Sequence, residues 1–147
     1  MNLKDQVLSI AQVQELQELG VDVNKYASVE VNITENGNKF IISKEFIKLF
    51  PKFGDDNVIE RYSTMTIADI ISVLPPHIYP SIYHKKYGEE IEQTHILIMY
   101  LYGDFGCLIR YKHHLKDTFV FESREKSYIK ALFETLKWCI KQKHIEL

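Results

Sequence analysis

The chain has little of what marks a specialised class of protein. Four prolines and six glycines among 147 residues are too few for a collagen-like or low-complexity chain. Two cysteines, Cys107 and Cys139, are too few and too far apart for a disulfide framework or a zinc knuckle, and they suit a reducing compartment. Neither sign of charge dominates: 18 Lys and Arg against 20 Asp and Glu leave a net −2. Such a balance gives neither a global basic field for nucleic acid nor an acidic solvating tail. Long apolar runs are missing as well. The longest stretch without formal charge, residues 70–84, holds three prolines and falls short of the about 18 apolar residues of a membrane span. The opening MNLKDQVLS is charged where a secretory leader would be apolar. The expectation is therefore a cytoplasmic protein with no membrane partner. What is present is 46% hydrophobic and 12% aromatic residues, ample for a core. At about 150 residues per domain, the length predicts one globular domain over residues 1–147.

Local patterns predict the elements. Ser9 and Gln12 have capping-box spacing, with Leu8 and Val13 at the staple positions, so a helix should begin at Ile10. Ile10, Val13, Leu16 and Leu19 follow at helical spacing, and Gly20 suits the left-handed residue that closes a helix. Val29, Val31 and Ile33 alternate with polar residues ahead of Asn36-Gly37. That pattern predicts a hairpin with a two-residue turn, Ile33 opposite Phe40, Val31 opposite Ile42 and a single apolar face. Residues 43–50 read as a short helix stopped by Pro51, and residues 51–61 as a surface loop. Thr66 and Asp69 repeat the capping box, with Met65 and Ile70 as staple, and Pro75-Pro76 ends that helix by Leu74. Residues 96–102 are apolar throughout, which predicts a strand covered on both faces. Gly103 to Gly106 then turns the chain into a strand over 107–113, with further strands over 118–122 and 81–87 in an antiparallel meander. A last helix is predicted with Ser123 as its cap, Glu125 in its first turn and a stripe of Ile129, Leu132, Phe133, Leu136, Cys139 and Ile140 against the sheet, widened by Tyr128, Ala131 and Trp138. The fold class is α+β: an antiparallel sheet, hairpin plus meander, packed by N-terminal, middle and C-terminal helices.

Three segments together carry a resemblance: Leu8 to Asp22 (LSIAQVQELQELGVD), Thr66 to Pro75 (TIADIISVLP) and Trp138 to Ile140 (WCI). They resemble a group of small uncharacterised proteins of gut anaerobes and their phages or prophages, which share an L-S-x-x-Q start, a T-[LI]-x-D-[IL]-[IL]-x-x-L-P middle and a W-C-I end. These segments are helix caps and core stripes covering about a fifth of the chain. The resemblance implies a mobile-element origin and a shared fold, and it carries over no activity, cofactor or site residue.

The familiar catalytic signatures are missing: no G-x-S-x-G elbow, no H-E-x-x-H helix and no glycine-rich phosphate loop. Cys107 with one of the six histidines could make a nucleophile and base, against the commoner reading of Cys107 and Cys139 as small buried hydrophobes. His113 and His114 are neighbours in a strand and should point to opposite faces. His84 and His95 are the weak candidates for a metal, with Glu89, Glu90 or Glu92 as a carboxylate ligand, against a reading as solvated residues at a strand end. The meander gathers Lys85, Lys86, Arg110, Lys112 and Lys116 with Tyr83, Tyr87 and Tyr111 at one end of the sheet. That mixture could hold phosphates and stack unpaired bases, although four acidic residues nearby make a mixed-charge rim the plainer reading. The segment from Pro75 to Pro80 is a stiff connector or an extended docking segment, and Asp55-Asp56 reads as a turn.

These residues lead to the expectation of a non-enzymatic interaction protein with no cofactor, acting by protein-protein binding or self-association. High Tyr and Phe content, nine and eight residues, supplies aromatic anchors for such a surface. A nucleic-acid-binding module using the basic, Tyr-containing sheet end is the alternative, and a small metal-dependent or cysteine hydrolase the third reading.

Overall fold

The computed structural model describes residues 2–52, 57–79, 94–103 and 106–146. Contacts along the chain divide it between Val73 and Leu74 into two compact units, each with its own antiparallel sheet, and the fold class is α+β.

In the first unit, α1 (Ile10–Glu18) starts and stops as its sequence predicts. The Gln12 N–H donates to Ser9 Oγ at 3.2 Å and the Ser9 N–H to Gln12 Oε1 at 2.9 Å, a complete capping box. Gly20, at φ +93°, closes the helix, with its N–H on the Gln17 carbonyl and the Val21 N–H on that of Leu16. This pair of bonds is the Schellman closure. A short α2 (Val23–Tyr26) then leads to β1 (Val29–Thr34) and β2 (Lys39–Ser43).

The hairpin forms, but its register differs from the expected one by a residue. Ile33 faces Lys39 and Val31 faces Ile41, because the loop has three residues, Glu35, Asn36 and Gly37. Thr34 and Asn38 close it: the Thr34 N–H donates to the Asn38 carbonyl at 2.9 Å and the Asn38 N–H to Thr34 Oγ1 at 3.2 Å. Gly37, at φ +79°, takes the left-handed position that three-residue hairpin loops require. A slip of one residue turns every β2 side chain to the other face, so the single apolar face is not formed. Val31 and Asn32, which point to opposite faces, are both buried, and Asn32 Oδ1 finds no hydrogen-bond donor among the described residues.

Ser43 caps α3 (Lys44–Leu49) by accepting from the Phe46 N–H. The expected loop over 51–61 is overturned at its end: residues 58–61 belong to β3 (Val58–Thr64), which pairs with β1 and gives the order β2-β1-β3. After it, α4 (Ile67–Val73) opens with the second predicted box. The Asp69 N–H donates to Thr66 Oγ1 and the Thr66 N–H to Asp69 Oδ2. The same Asp69 oxygen accepts from the Ser28 N–H at 3.1 Å and the Ser28 hydroxyl at 2.8 Å, tying α4 to the approach to β1.

The second unit is a four-stranded meander in the order β4-β5-β6-β7: β4 (His77–Ile78), β5 (His95–Leu101), β6 (Cys107–His113) and β7 (Phe119–Glu125). The strand expected at 81–87 lies outside the described residues. What pairs with β5 there is His77–Ile78, from the proline-rich stretch read as connector or docking segment. That stretch is woven into the sheet, since the Pro76 carbonyl accepts from the Leu97 N–H and the Pro75 carbonyl from the Tyr111 hydroxyl.

The last helix, α5 (Tyr128–Lys141), starts later than expected. Ser123 is not its cap: it lies within β7 opposite Ile109 and is buried, because the β6 ladder holds β7 in register as far as Glu125. Ser127 caps the helix instead, accepting from the Lys130 N–H. Ile129, Leu132, Phe133, Leu136 and Cys139 of the predicted stripe are buried, as is Ala131, while Ile140, Tyr128 and Trp138 are partly so. No helix among the described residues is long and apolar enough to cross a membrane.

Candidate functional site

Alternation along β6 sorts the four-stranded sheet into two faces. Cys107, Ile109, Tyr111 and His113 share one face with Met99 and Phe121, and α5 covers it. Trp138 stacks on Phe121 at 4.8 Å and on Tyr111 at 5.7 Å between ring centroids, and the Tyr128 hydroxyl reaches Met99 Sδ at 3.4 Å. The opposite face carries Ile96, Ile98 and Tyr100 of β5, Arg110 and Lys112 of β6, and Phe119, Glu122 and Arg124 of β7.

Among the described residues that opposite face is open except at Leu108, which is buried. Ile96 is 40% exposed, Tyr100 37% and Phe119 46%. The expectation that the strand over 96–102 is covered on both faces is thus overturned: of β5 only His95 is buried, since α5 lies on one side alone. The open face also holds a charge system. Arg110 Nε donates to Glu122 Oε2 at 2.7 Å while its guanidinium lies 4.6 Å over the Phe119 ring. Arg124 approaches the other oxygen of Glu122 at 3.5 Å. Lys112 Nζ donates to the Lys116 carbonyl at 2.9 Å and lies 3.9 Å from the Asp117 carboxylate. The surface is therefore an apolar and aromatic patch crossed by ion pairs, a composition typical of protein-protein interfaces.

The residues expected to hold nucleic acid are dispersed. Lys85, Lys86, Tyr83 and Tyr87 lie outside the described residues, and Lys116 lies in the exposed loop after β6. Arg110 and Lys112 stand on the open face with carboxylates already beside them. Tyr111 is fully buried on the other face, its hydroxyl donating to the Pro75 carbonyl at 2.8 Å, so its ring offers no surface to a base. Burial raises its phenol far above the ordinary range.

The histidines do cluster, though not as expected. His95 stands directly opposite His113, both buried, with ring centroids 5.2 Å apart and edge to face. β6 ends at His113, so His114 escapes strand alternation and its ring stacks on that of His113 at 4.8 Å. Their nitrogens have backbone partners: His113 Nδ1 accepts from the Leu115 and Lys116 N–H groups, which puts the ring proton on Nε2. His114 Nδ1, 3.1 Å from the Thr94 carbonyl, must donate to it. Among the described residues no group of three or more His, Cys, Asp or Glu could hold a metal ion, and His84 with its neighbouring glutamates lies outside them.

Both cysteines are buried. Burial, reinforced by the Glu125 carboxylate, raises the Cys107 thiol. Burial pushes the Cys139 thiol up to about 11 against the lowering effect of its bond to the Tyr111 hydroxyl. Each therefore stays protonated near neutrality, where a nucleophile must be thiolate. The sequence does not mark Ile96 and Tyr100 as surface residues, because an all-apolar β5 reads as buried on both sides. No protein-family model, curated protein or solved structure matches the chain.

Proposed function

We propose that this is a non-enzymatic interaction protein of mobile-element origin, working in the cytoplasm by protein-protein binding or self-association, with the open face of the second unit's sheet as its docking surface. The observation that carries this reading is the concentration of exposed Ile96, Tyr100 and Phe119 on the one sheet face that α5 leaves bare. Aromatic residues supply much binding free energy per side chain at interfaces, and the Arg110–Glu122 pair among them gives the orientation that apolar contact lacks. The protonated, buried thiols suit a reducing compartment, and the resemblance of the three segments to proteins of gut anaerobes and their phages supports the origin.

The test is a paired binding experiment. Tagged wild type and an Ile96→Glu/Tyr100→Glu variant, matched in thermal unfolding, are compared for specific association with other proteins in extract. Both residues are surface groups, so the variant should keep the fold and lose the association. Equal association by the two proteins would reject the open face as the docking surface.

A further inference from the structure

β7 is the outermost strand of its sheet, and among the described residues nothing pairs with the side turned away from β6. A strand of seven residues, Phe119–Glu125, thus presents a row of backbone N–H and C=O groups, an edge that another strand can complete. Charged side chains ordinarily guard such an edge, and β7 carries Glu122 and Arg124 near its middle. Their spacing changes that role when the incoming strand is a second β7.

Two copies joined antiparallel, edge to edge, are related by a two-fold axis perpendicular to the sheet, so the axis must pass through a residue that meets its own copy. An axis at Glu122 opposes two carboxylates, and one at Arg124 opposes two guanidinium groups. An axis at Phe121 sets Val120 against Glu122 and gives neither charge an opposite partner. An axis at Ser123 places Glu122 of each copy opposite Arg124 of the other, twice, on the open face. Cross-strand pairs of opposite charge stabilise a sheet and like pairs destabilise it, so among these four registers only the axis at Ser123 gives both Glu122 and Arg124 an opposite partner without setting like charges together.

We infer that the protein self-associates through β7, with Ser123 on the two-fold axis, to form a continuous eight-stranded sheet. This deepens the interaction reading and rests on it: the axis is perpendicular to the sheet, so both open faces point the same way and form one bivalent docking surface. The side chains are placed for the exchange. Arg124 has a side chain 73% exposed and holds its own Glu122 only at 3.5 Å, a pair that is weak in water and can be traded for Glu122 of the second copy. Beyond the bulge opposite Tyr111 and Lys112, the same register carries exposed Phe119 and Val120 toward residues 126 and 127 of the other copy. A cleft of about 440 Å³ opens there, lined by Tyr102, Leu108, Arg124 and Lys126.

Sedimentation of the full chain tests the inference over about 5 to 500 µM, the range expected for a small edge interface. Wild type should move from the 17.3 kDa monomer to twice that mass. Arg124→Glu, which sets carboxylates against each other on both sides of the axis, should weaken dimerisation at least about tenfold. Tyr100→Glu, away from the edge, should leave the dimer intact, and Ser123→Cys should give a covalent dimer on oxidation. A wild type monomeric throughout would overturn self-association, while hetero-association lost in the Ile96→Glu/Tyr100→Glu variant would still uphold the docking face. A dimer indifferent to Arg124→Glu but broken by Tyr100→Glu would overturn the edge and assign the contact to the open face.

Discussion

Trp138, the only tryptophan, sits where three rings meet it: Phe121 at 4.8 Å, His144 at 5.1 Å and Tyr111 at 5.7 Å. Two of these neighbours are neutral at every physiological pH, and His144 is not bound to be. Desolvation against the aromatic cluster lowers the His144 pKa from its ordinary 6.5. The unfolded chain therefore takes up that proton first, and stability falls as the proton is bound. The contribution of neutral His144 is full above about pH 6.5 and is lost as pH drops below it toward the folded-state value. Melting curves between about pH 7.5 and 5 should show a falling Tm with a component that His144→Gln removes; an unchanged pH slope in that variant would refute the assignment. The burial of Tyr111 was itself legible. Cys107, Ile109 and Tyr111 alternate with Leu108, Arg110 and Lys112, so Tyr111 had to face away from the cations with which the nucleic-acid reading grouped it.

At the level of elements, what the sequence encodes most plainly is the local chemistry of helix ends. Both predicted capping boxes exist with both of their bonds, because an oxygen three residues from an N–H needs no tertiary context to find it. Elements whose definition depends on distant partners were harder to read. The hairpin slipped by a residue because the Thr34 hydroxyl and Gly37 favour a three-residue loop over the two-residue one that Asn-Gly suggests. β3 was missed because its apolar and polar residues do not alternate, and its strand character comes from pairing with β1. Ser123 has the chemistry of a cap, yet the ladder with β6 claims it.

The end of α5 offers a quantitative check. The Lys143 N–H bonds the Ile140 carbonyl and the His144 N–H that of Cys139, the same Schellman closure that Gly20 makes for α1. Here the left-handed residue is Lys143, at φ +60°, the only non-glycine with positive φ among the described residues. An L-residue in that region is strained by about 1 to 2 kcal/mol, partly offset by the greater freedom of glycine in the unfolded chain. Lys143→Gly should then stabilise the protein by about 0.5 to 1 kcal/mol, raising Tm by about 1 to 4 °C. A lower Tm would mean that the Lys143 side chain contributes more than its backbone strain costs.

For the whole molecule, the sequence was sufficient for the α+β class and insufficient for the candidate site, for one reason. Hydrophobicity records that a residue can be buried, while exposure of Ile96, Tyr100 and Phe119 depends on how many helices there are to cover the sheet. In the second unit α5 is the single long helix among the described residues, and it covers one face. Each strand there pairs antiparallel with a neighbour close in sequence, so the unit needs few distant contacts to assemble. Residues 74–146 should therefore fold without residues 1–73. Their apolar core of Ile109, Tyr111, Ile129, Leu132, Leu136 and Cys139 is fully or almost fully buried, and a unit of this size with one core is expected to be stable by only about 3 to 5 kcal/mol. Trp138, partly buried, stacks on Tyr111 and Phe121 at the edge of that core and reports on it. In a 74–146 fragment its fluorescence should show a cooperative urea transition with a slope near 1 kcal/mol/M. A flat or continuously sloping signal would mean that the meander and its helix do not form an autonomous unit.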